Sequence, residues 1–338
     1  MVENWLTGHS SWRQTTDLII QNTGTQQASV TVTFYDSWGG YSGSHQETRT
    51  IPANGQETIL GTELPNWESA WQASLASAVI ESDQPVAVIA ETKTGVASGG
   101  GTIPYPRLLG SYRAFTSGAD EVYMPVAARE YYNYDSSLQV QNARNSTTTF
   151  RIKYYRLGES SPVLTLNNLT VGAYRAMNFW HPTGLPVDFL GSAVVEVISG
   201  GPVVAMAQYD LFDTAQSRYG VNQYEGVTAG TRSEFLPHVQ GSSPWDWTGI
   251  PAQNMGDSTT AVTLRFYQES GAQYGDPETK TNVYPESAVL YWSEIPAISG
   301  SAVTSSSPVE PIALMVNFDR SSGTWTNRDR MMGYGAVR

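Results

Sequence analysis

Cysteine is absent from this chain of 338 residues, and lysine is scarce. Without cysteine there can be no disulfides, thiol nucleophiles or cysteine-ligated metal sites, so stability must come from packing. Charged residues make up only 15% of the chain and the net charge is −12, whereas an average globular protein has roughly 25% charged residues. Because no basic stripe can neutralise phosphates, we expect no nucleic-acid binding and no attraction to an anionic membrane.

No apolar run approaches the roughly 18 residues of a membrane span, so the sequence predicts no membrane insertion. The opening residues, Met1-Val2-Glu3-Asn4-Trp5, lack the basic and then apolar pattern of a signal peptide. Three explanations stay open: a leader that has been removed, an added initial methionine, or a protein that never uses that export route.

Sequence motifs for catalysis are also missing. The histidines His9, His45, His181 and His238 are scattered, and no zinc-protease, P-loop or nucleophile-elbow pattern occurs. The best pair of acids for glycoside hydrolysis, Glu81 and Glu196, occupies one repeated strand position, which indicates outward-facing surface rather than a unique site. The sequence therefore predicts a protein that is not an enzyme and that has no cofactor and no metal site.

Calcium binding is the metal chemistry that the sequence leaves open. Carboxylates near the predicted boundaries between repeats could supply oxygen ligands, although their spacing is not that of an EF-hand. These acids are Asp120, Glu121, Asp210 and Asp213.

A repeated sequence motif is the strongest positive feature of the chain. A Gln-Asn pair occurs at Gln21-Asn22, Gln141-Asn142 and Gln253-Asn254, and a closing Tyr follows each Gln by 14 residues at Tyr35, Tyr155 and Tyr267. The copies lie 120 and 112 residues apart, which indicates three tandem units of domain size.

Period-two alternation defines the fold class. Val30, Val32 and Phe34 alternate with polar residues, and the same pattern begins at Phe150 and Val262, as in antiparallel strands buried on one face. About seven short strands per unit predict an all-β fold of three tandem immunoglobulin-like antiparallel β-sandwich domains. The predicted domains are residues 1–93, 121–219 and 233–338, and the Gly-rich or polar segments 94–120 and 220–232 are predicted linkers.

Asparagine appears in two different contexts. The Asn of each Gln-Asn pair is predicted to start a turn by bonding its own backbone, and the Gln to be bonded to a neighbouring strand. Asn145 and Asn168 lie in glycosylation sequons at predicted turns and are possible glycosylation sites.

The closing segments of the units suggest a family. Gly191-Ser192-Ala193-Val194-Val195 and Gly300-Ser301-Ala302-Val303, with Pro202-Val203-Val204-Ala205, resemble tandem β-sandwich repeat domains of secreted bacterial cell-surface proteins; the first unit has Ala76 in place of the Gly. The resemblance covers all three units. It implies a cell-surface or matrix role, and it brings no catalytic residues.

The main functional hypothesis is a non-enzymatic extracellular structural protein, a building block of a cell-surface layer, stalk or filament. It would associate with itself or with other cell-surface proteins through outward-facing Tyr35, Tyr155 and Tyr267, because tyrosine offers a large contact area. A carbohydrate-binding adhesin module is the first alternative, and a phage fibre or decoration protein is the second. Aromatic residues that could stack on sugars in the adhesin are Tyr131, Tyr132, Tyr134, Trp245 and Trp247.

Overall fold

The computed structural model contains strands and turns, and no helix among its described residues has the length and apolar character needed to cross a membrane. The predicted all-β, antiparallel fold is confirmed. The described residues are 2–6, 12–36, 44–61, 73–96, 108–213, 218–241, 246–292, 295, 299–307, 310–320 and 331–335.

Repeat one comprises strands β1 to β8, which form one eight-stranded sheet in the order β4-β3-β6-β1-β2-β7-β8, with β5 on β2. Its strands are β1 Val2–Leu6, β2 Trp12–Asn22, β3 Ala28–Asp36, β4 Ser44–Ile51, β5 Gln56–Ile59, β6 Ala73–Ser82, β7 Val86–Val96 and β8 Leu108–Arg113.

Repeat two comprises β9 to β16 and forms two four-stranded sheets, β12-β11-β14-β9 and β13-β10-β15-β16. Its strands are β9 Glu121–Arg129, β10 Tyr134–Asn142, β11 Thr148–Arg156, β12 Leu164–Val171, β13 Ala176–Trp180, β14 Phe189–Ser199, β15 Val203–Asp213 and β16 Arg218–Glu225.

Repeat three comprises β17 to β24 and has the same two sheet orders, β20-β19-β22-β17 and β21-β18-β23-β24. Its strands are β17 Ser233–Gln240, β18 Asp246–Asn254, β19 Thr260–Gln268, β20 Gln273–Val283, β21 Ala288–Tyr291, β22 Ser299–Ser307, β23 Ile312–Arg320 and β24 Met331–Gly335.

The connectivity differs from that of an immunoglobulin domain. In each repeat the second strand pairs with the fifth and the third with the sixth, as immunoglobulin strands do. The first strand, however, lies beside the sixth and the seventh beside the second, so these two outer strands have exchanged sheets. The antiparallel sheets are consistent with β-sandwiches, but of another strand order.

The repeats also have eight strands where the sequence predicts about seven. The additional strands, β8 and β16, pair with β7 and β15 and lie within or at the edge of the segments predicted as linkers. Burial alternates along β8, with Leu108, Gly110 and Tyr112 facing inward, as expected for a strand that covers the core on one face. The Gly-rich residues 97–101 themselves lie outside the described residues.

Inward-facing residues form a hydrophobic cluster in each repeat. In repeat two Phe150 and Ile152 of one sheet and Val140 of the other are fully buried in the same cluster. Burying a side chain of this size stabilises the fold by roughly 1.5–3 kcal/mol. The predicted alternation of β3, β11 and β19 is confirmed, with Val30, Val32 and Phe34 fully buried.

The Asn of each Gln-Asn pair forms hydrogen bonds that join its strand to the neighbouring turns. Asn142 donates from Nδ2 to the carbonyl oxygens of Ser146 at 2.5 Å and Gly172 at 3.0 Å, while its Oδ1 accepts from the Arg144 backbone at 2.9 Å. Equivalent bonds occur at Asn22 and Asn254. The predicted turn-starting role is confirmed, and the side chain additionally holds a hairpin 30 residues away.

We expect Asn142→Ala to lower the free energy of unfolding by about 3 kcal/mol, because at least three hydrogen bonds of about 1 kcal/mol each are lost from a buried site. Urea denaturation of the full chain measures this change. Asn145→Ala, an exposed position in the same turn, is the control and should change stability by less than about 0.5 kcal/mol. Equal effects of the two substitutions would contradict the assigned role.

Candidate functional site

The Gln of the Gln-Asn pair lies at the junction between consecutive repeats. At the first junction, Gln141 donates from Nε2 to the carbonyl oxygen of Ala78 in repeat one and to that of Tyr174 in its own repeat, each at 3.2 Å. Ser77 of repeat one donates its hydroxyl to the same Tyr174 carbonyl at 2.7 Å. We call the Tyr174 carbonyl the junction carbonyl, because donors from both repeats meet on it.

The second junction has the same construction. Gln253 donates to the carbonyl oxygens of Ala193 in repeat two at 3.2 Å and Glu286 in its own repeat at 2.8 Å. Ser192 donates to the Glu286 carbonyl at 3.1 Å. The Gln and the Ser-Ala-Val motif therefore recur because they form the same contact at both junctions.

The residue that carries the junction carbonyl has a left-handed backbone. Tyr174 and Glu286 have φ of 59° and 64°, and Asn54 at the same position of repeat one has φ of 59°. This conformation is unfavourable for residues other than Gly, Asn and Asp, by roughly 1–2 kcal/mol. Tyr and Glu therefore need another reason to occupy the position, and their side-chain contacts supply it.

An apolar contact accompanies the polar one. Met206, in the seventh strand of repeat two, belongs to the hydrophobic cluster of repeat one and is 4% exposed. Its counterpart Met315 belongs to the cluster of repeat two and is 1% exposed. Each of these repeats thus inserts one methionine into the repeat before it.

Two different surfaces meet at each junction. The leading face of a repeat contains the Gln, the junction carbonyl and the seventh-strand methionine. The trailing face contains the Ser of Ser-Ala-Val and the closing Tyr. At the second junction the trailing face also includes Val194, which forms a cluster with Tyr123 and with Ala313 of repeat three.

Side-chain contacts differ between the two junctions. At the first, the rings of Tyr35 and Tyr174 lie 5.5 Å apart, and Arg175 donates to the Asp36 carbonyl at 2.6 Å. The edges of β8 and β16 also meet there, where Arg113 forms a salt bridge with Glu225 at 3.1 Å.

The second junction carries an ion network around Lys153. The Lys153 Nζ lies 2.5 Å from carboxylate oxygens of both Glu196 and Glu286, while Arg151 also pairs with Glu196. The Tyr155 hydroxyl donates to Glu286 as well. Since Glu286 belongs to repeat three and the other four to repeat two, the network joins the repeats by charge-assisted hydrogen bonds.

Burial and neighbouring charges shift the pKa values of the groups in this network. Burial opposes ionisation of Glu196, but hydrogen bonds from Lys153 and Arg151 outweigh that effect and lower the pKa of its carboxyl. Burial, with the nearby negative charges, raises the pKa of Glu121. The Tyr155 hydroxyl has its pKa raised, first by burial and then by its bond to Glu286, so it stays a donor at neutral pH.

Glu121, Glu196 and Glu286 form the one group with metal-ligand geometry found in the described part of the chain, with ligand oxygens within 4.8 Å of one another. The Lys153 ammonium already forms ion pairs with two of them, Glu196 and Glu286. Of the acids considered for calcium, Glu121 is here, but Asp120 and Asp210 do not join the group, and the side chain of Asp213 lies outside the described residues. The sequence could not show that Glu286 completes this cluster.

Two of the predicted interaction tyrosines are used within the chain. Tyr155 is 5% exposed at the second junction, and Tyr35 is partly buried at the first. The expected outward exposure of Tyr155 is therefore wrong, since repeat three covers it. Tyr267, the third copy, is partly exposed on the trailing face of repeat three.

Both sequon asparagines are exposed. Asn145 lies in a turn, as predicted, whereas Asn168 lies inside β12 with φ of 54°, where the pairing of β11 and β12 shifts register. A β-bulge, and not a turn, therefore presents Asn168 to solvent.

No protein-family model matches the chain, and no curated protein matches it. The junctions and the surfaces of the repeats are therefore the basis for assigning a function.

The aromatic residues considered for carbohydrate stacking are only partly brought together. Tyr131 and Tyr134 line a cleft between repeats two and three, together with Tyr209 and Trp292. Tyr132 is 71% exposed beside Tyr131, at 4.9 Å between ring centroids. Trp245 and the side chain of Trp247 lie outside the described residues.

We expect Lys153→Met to destabilise the chain by about 2 kcal/mol, because the partly buried Glu286 would lose its cation and would face Glu196, which would keep only Arg151. Thermal or urea unfolding of the full chain measures the loss. Arg265→Met is the matched control, since Arg265 occupies the same position in repeat three and bonds Ser305 of its own repeat. A loss at position 265 as large as that at position 153 would show that the junction is not the cause.

Proposed function

We propose that this chain is a non-enzymatic extracellular structural protein, a building block of a cell-surface layer, stalk or filament. In this proposal each repeat is one β-sandwich domain of immunoglobulin-like architecture, with exchanged outer strands, and the three domains form a tandem array. The observation that carries the proposal is the junction itself, which occurs twice with equivalent residues. A protein that builds one contact repeatedly is suited to extension in one direction.

Backbone pairing holds the segments that connect consecutive repeats, which favours a load-bearing role. The bridges Ala119–Val203 and Thr231–Ile312 pair the chain just before repeats two and three with the seventh strands of those repeats. Val227, just after the last strand of repeat two, pairs with Tyr123 of that same repeat. Backbone pairing of this kind limits bending between units more than a Gly/Ser-rich tether would.

Surface chemistry supports an extracellular place. The chain has few charged residues, and its two sequon asparagines are exposed. The predicted linkers supply an eighth strand to the preceding repeat, so the proposed domains extend to about Arg113 and Glu225.

We expect antibodies raised against the purified chain to label the outside of intact source cells, in a continuous layer or along stalks or filaments. Immunogold electron microscopy of unpermeabilised and permeabilised cells tests this. Label on virus particles would support the phage alternative instead, and label confined to the cell interior would contradict the proposal. Pre-immune serum is the control.

A carbohydrate-binding role is the second candidate, because aromatic rings line the cleft between repeats two and three. Tyr131, Tyr134 and Tyr209 line this cleft, and Trp292 is 38% exposed at its wall. If this role is correct, Trp292→Ala should weaken binding of a glycan selected on an array by about tenfold. Trp180→Ala, an exposed Trp outside the cleft lining, should leave binding unchanged. An array without a reproducible glycan would contradict this role.

A further inference from the structure

The leading face of repeat one has no repeat before it among the described residues, and its apolar residue is exposed. Ile89 occupies the position of Met206 and Met315 but is 45% exposed, where they are 4% and 1% exposed. Gln21 is exposed as well, whereas Gln253 at the same position is fully buried. Asn54 holds the left-handed backbone that presents the junction carbonyl. Repeat one therefore has the residues of a leading face, and they are exposed to solvent.

The trailing face of repeat three is uncovered in the complementary way. Phe235 occupies the position of Tyr123, since each pairs with the Val of Ser-Ala-Val, but Phe235 is 56% exposed and Tyr123 is 6% exposed. Ser301 is partly exposed, while Ser77 and Ser192 are fully buried at the internal junctions.

We propose that these two faces bind each other between two copies of this chain, so that repeat three of one copy contacts repeat one of the next. This inference rests on the proposed structural function and names its contact. Gln21 donates to the Ala302 carbonyl of the other copy, Ser301 donates to the Asn54 carbonyl, and Ile89 packs where a methionine packs at the internal junctions.

A second copy is the occupant that the structure favours, because each uncovered face has its partner surface on the same chain. The internal junctions show twice that a leading and a trailing face fit together, with the same donors and acceptors. The two faces are different surfaces, so the contact is heterologous, and repeated addition gives an open chain unless the rotation closes a ring.

Exposed apolar residues at matching positions point to the same contact. A lone exposed side chain is ordinary on a protein surface, but Ile89 and Phe235 are exposed where their counterparts are buried against a neighbour. Both therefore mark contacts that a second copy would complete.

Two complementary variants test the contact. Ile89→Asp blocks the leading face of repeat one, and Phe235→Asp blocks the trailing face of repeat three; both positions are exposed within the chain, so the fold should persist. In light scattering at rising concentration, wild type should form chains, and each variant alone should associate at least tenfold more weakly. An equimolar mixture should form a 1:1 dimer and stop there, since both remaining faces are blocked.

Ile198→Asp is the matched control, at a 49% exposed position in repeat two, and it should assemble as wild type does. Assembly of either single variant like wild type would overturn the proposed contact and leave the structural function standing. A mixture that stays monomeric would also overturn it, whatever immunogold labelling shows. Surface labelling can fail independently, so the two proposals are separable.

Discussion

One hydrogen-bonded carbonyl fixes how each repeat sits on the one before it. A carbonyl oxygen accepts two hydrogen bonds, and at each junction one comes from the repeat's own Gln and the other from the preceding repeat's Ser. Ser77, Ser192 and Gln253 are fully buried, so a shift that breaks one of their bonds leaves a buried polar group unsatisfied, at roughly 1–3 kcal/mol. The methionine contact and the ion network form only when this register is correct, and they depend on it.

The backbone at that carbonyl explains the residues chosen there. Asn adopts the left-handed conformation more readily than Tyr or Glu does, and repeat one has Asn54. Tyr174 and Glu286 accept the less favourable backbone because their side chains reach the preceding repeat, where they meet Tyr35 and Lys153. These side chains are not interchangeable. If repeat three packed against repeat one, Glu286 would face Thr33 instead of Lys153 and would lose its cation. Unfavourable contacts in the wrong order therefore specify the order of the repeats, together with favourable contacts in the correct order.

Sequence patterns predict what depends on local periodicity. Alternation locates β3, β11 and β19, and the fixed spacing from Gln to Tyr is enough to identify the three repeats. Alternation says only that a strand has two faces. It cannot tell solvent from a neighbouring repeat, which is why it predicts an exposed Tyr155 although Glu286 covers this residue from 131 residues further along the chain. The eighth strand does leave a signal, since Leu108, Gly110 and Tyr112 alternate inward, but the glycine-rich composition before it favours a linker.

The excess of acidic over basic side chains, 31 against 19, limits the forces available for contacts between copies of the chain. Lys93 is held by Asp17 and Glu91, at 2.5 and 3.2 Å, and Lys153 by Glu196 and Glu286. Two of the three lysines of a chain with net charge −12 are thus in internal ion pairs, and the third, Lys280, lies 5.3 Å from the centre of the Tyr291 ring. Copies of an acidic protein repel one another at long range, so their association must depend on short-range apolar contact and on hydrogen bonds. The exposed Ile89, Phe235 and Gln21 provide groups of these kinds, and salt should favour their contact by screening the repulsion.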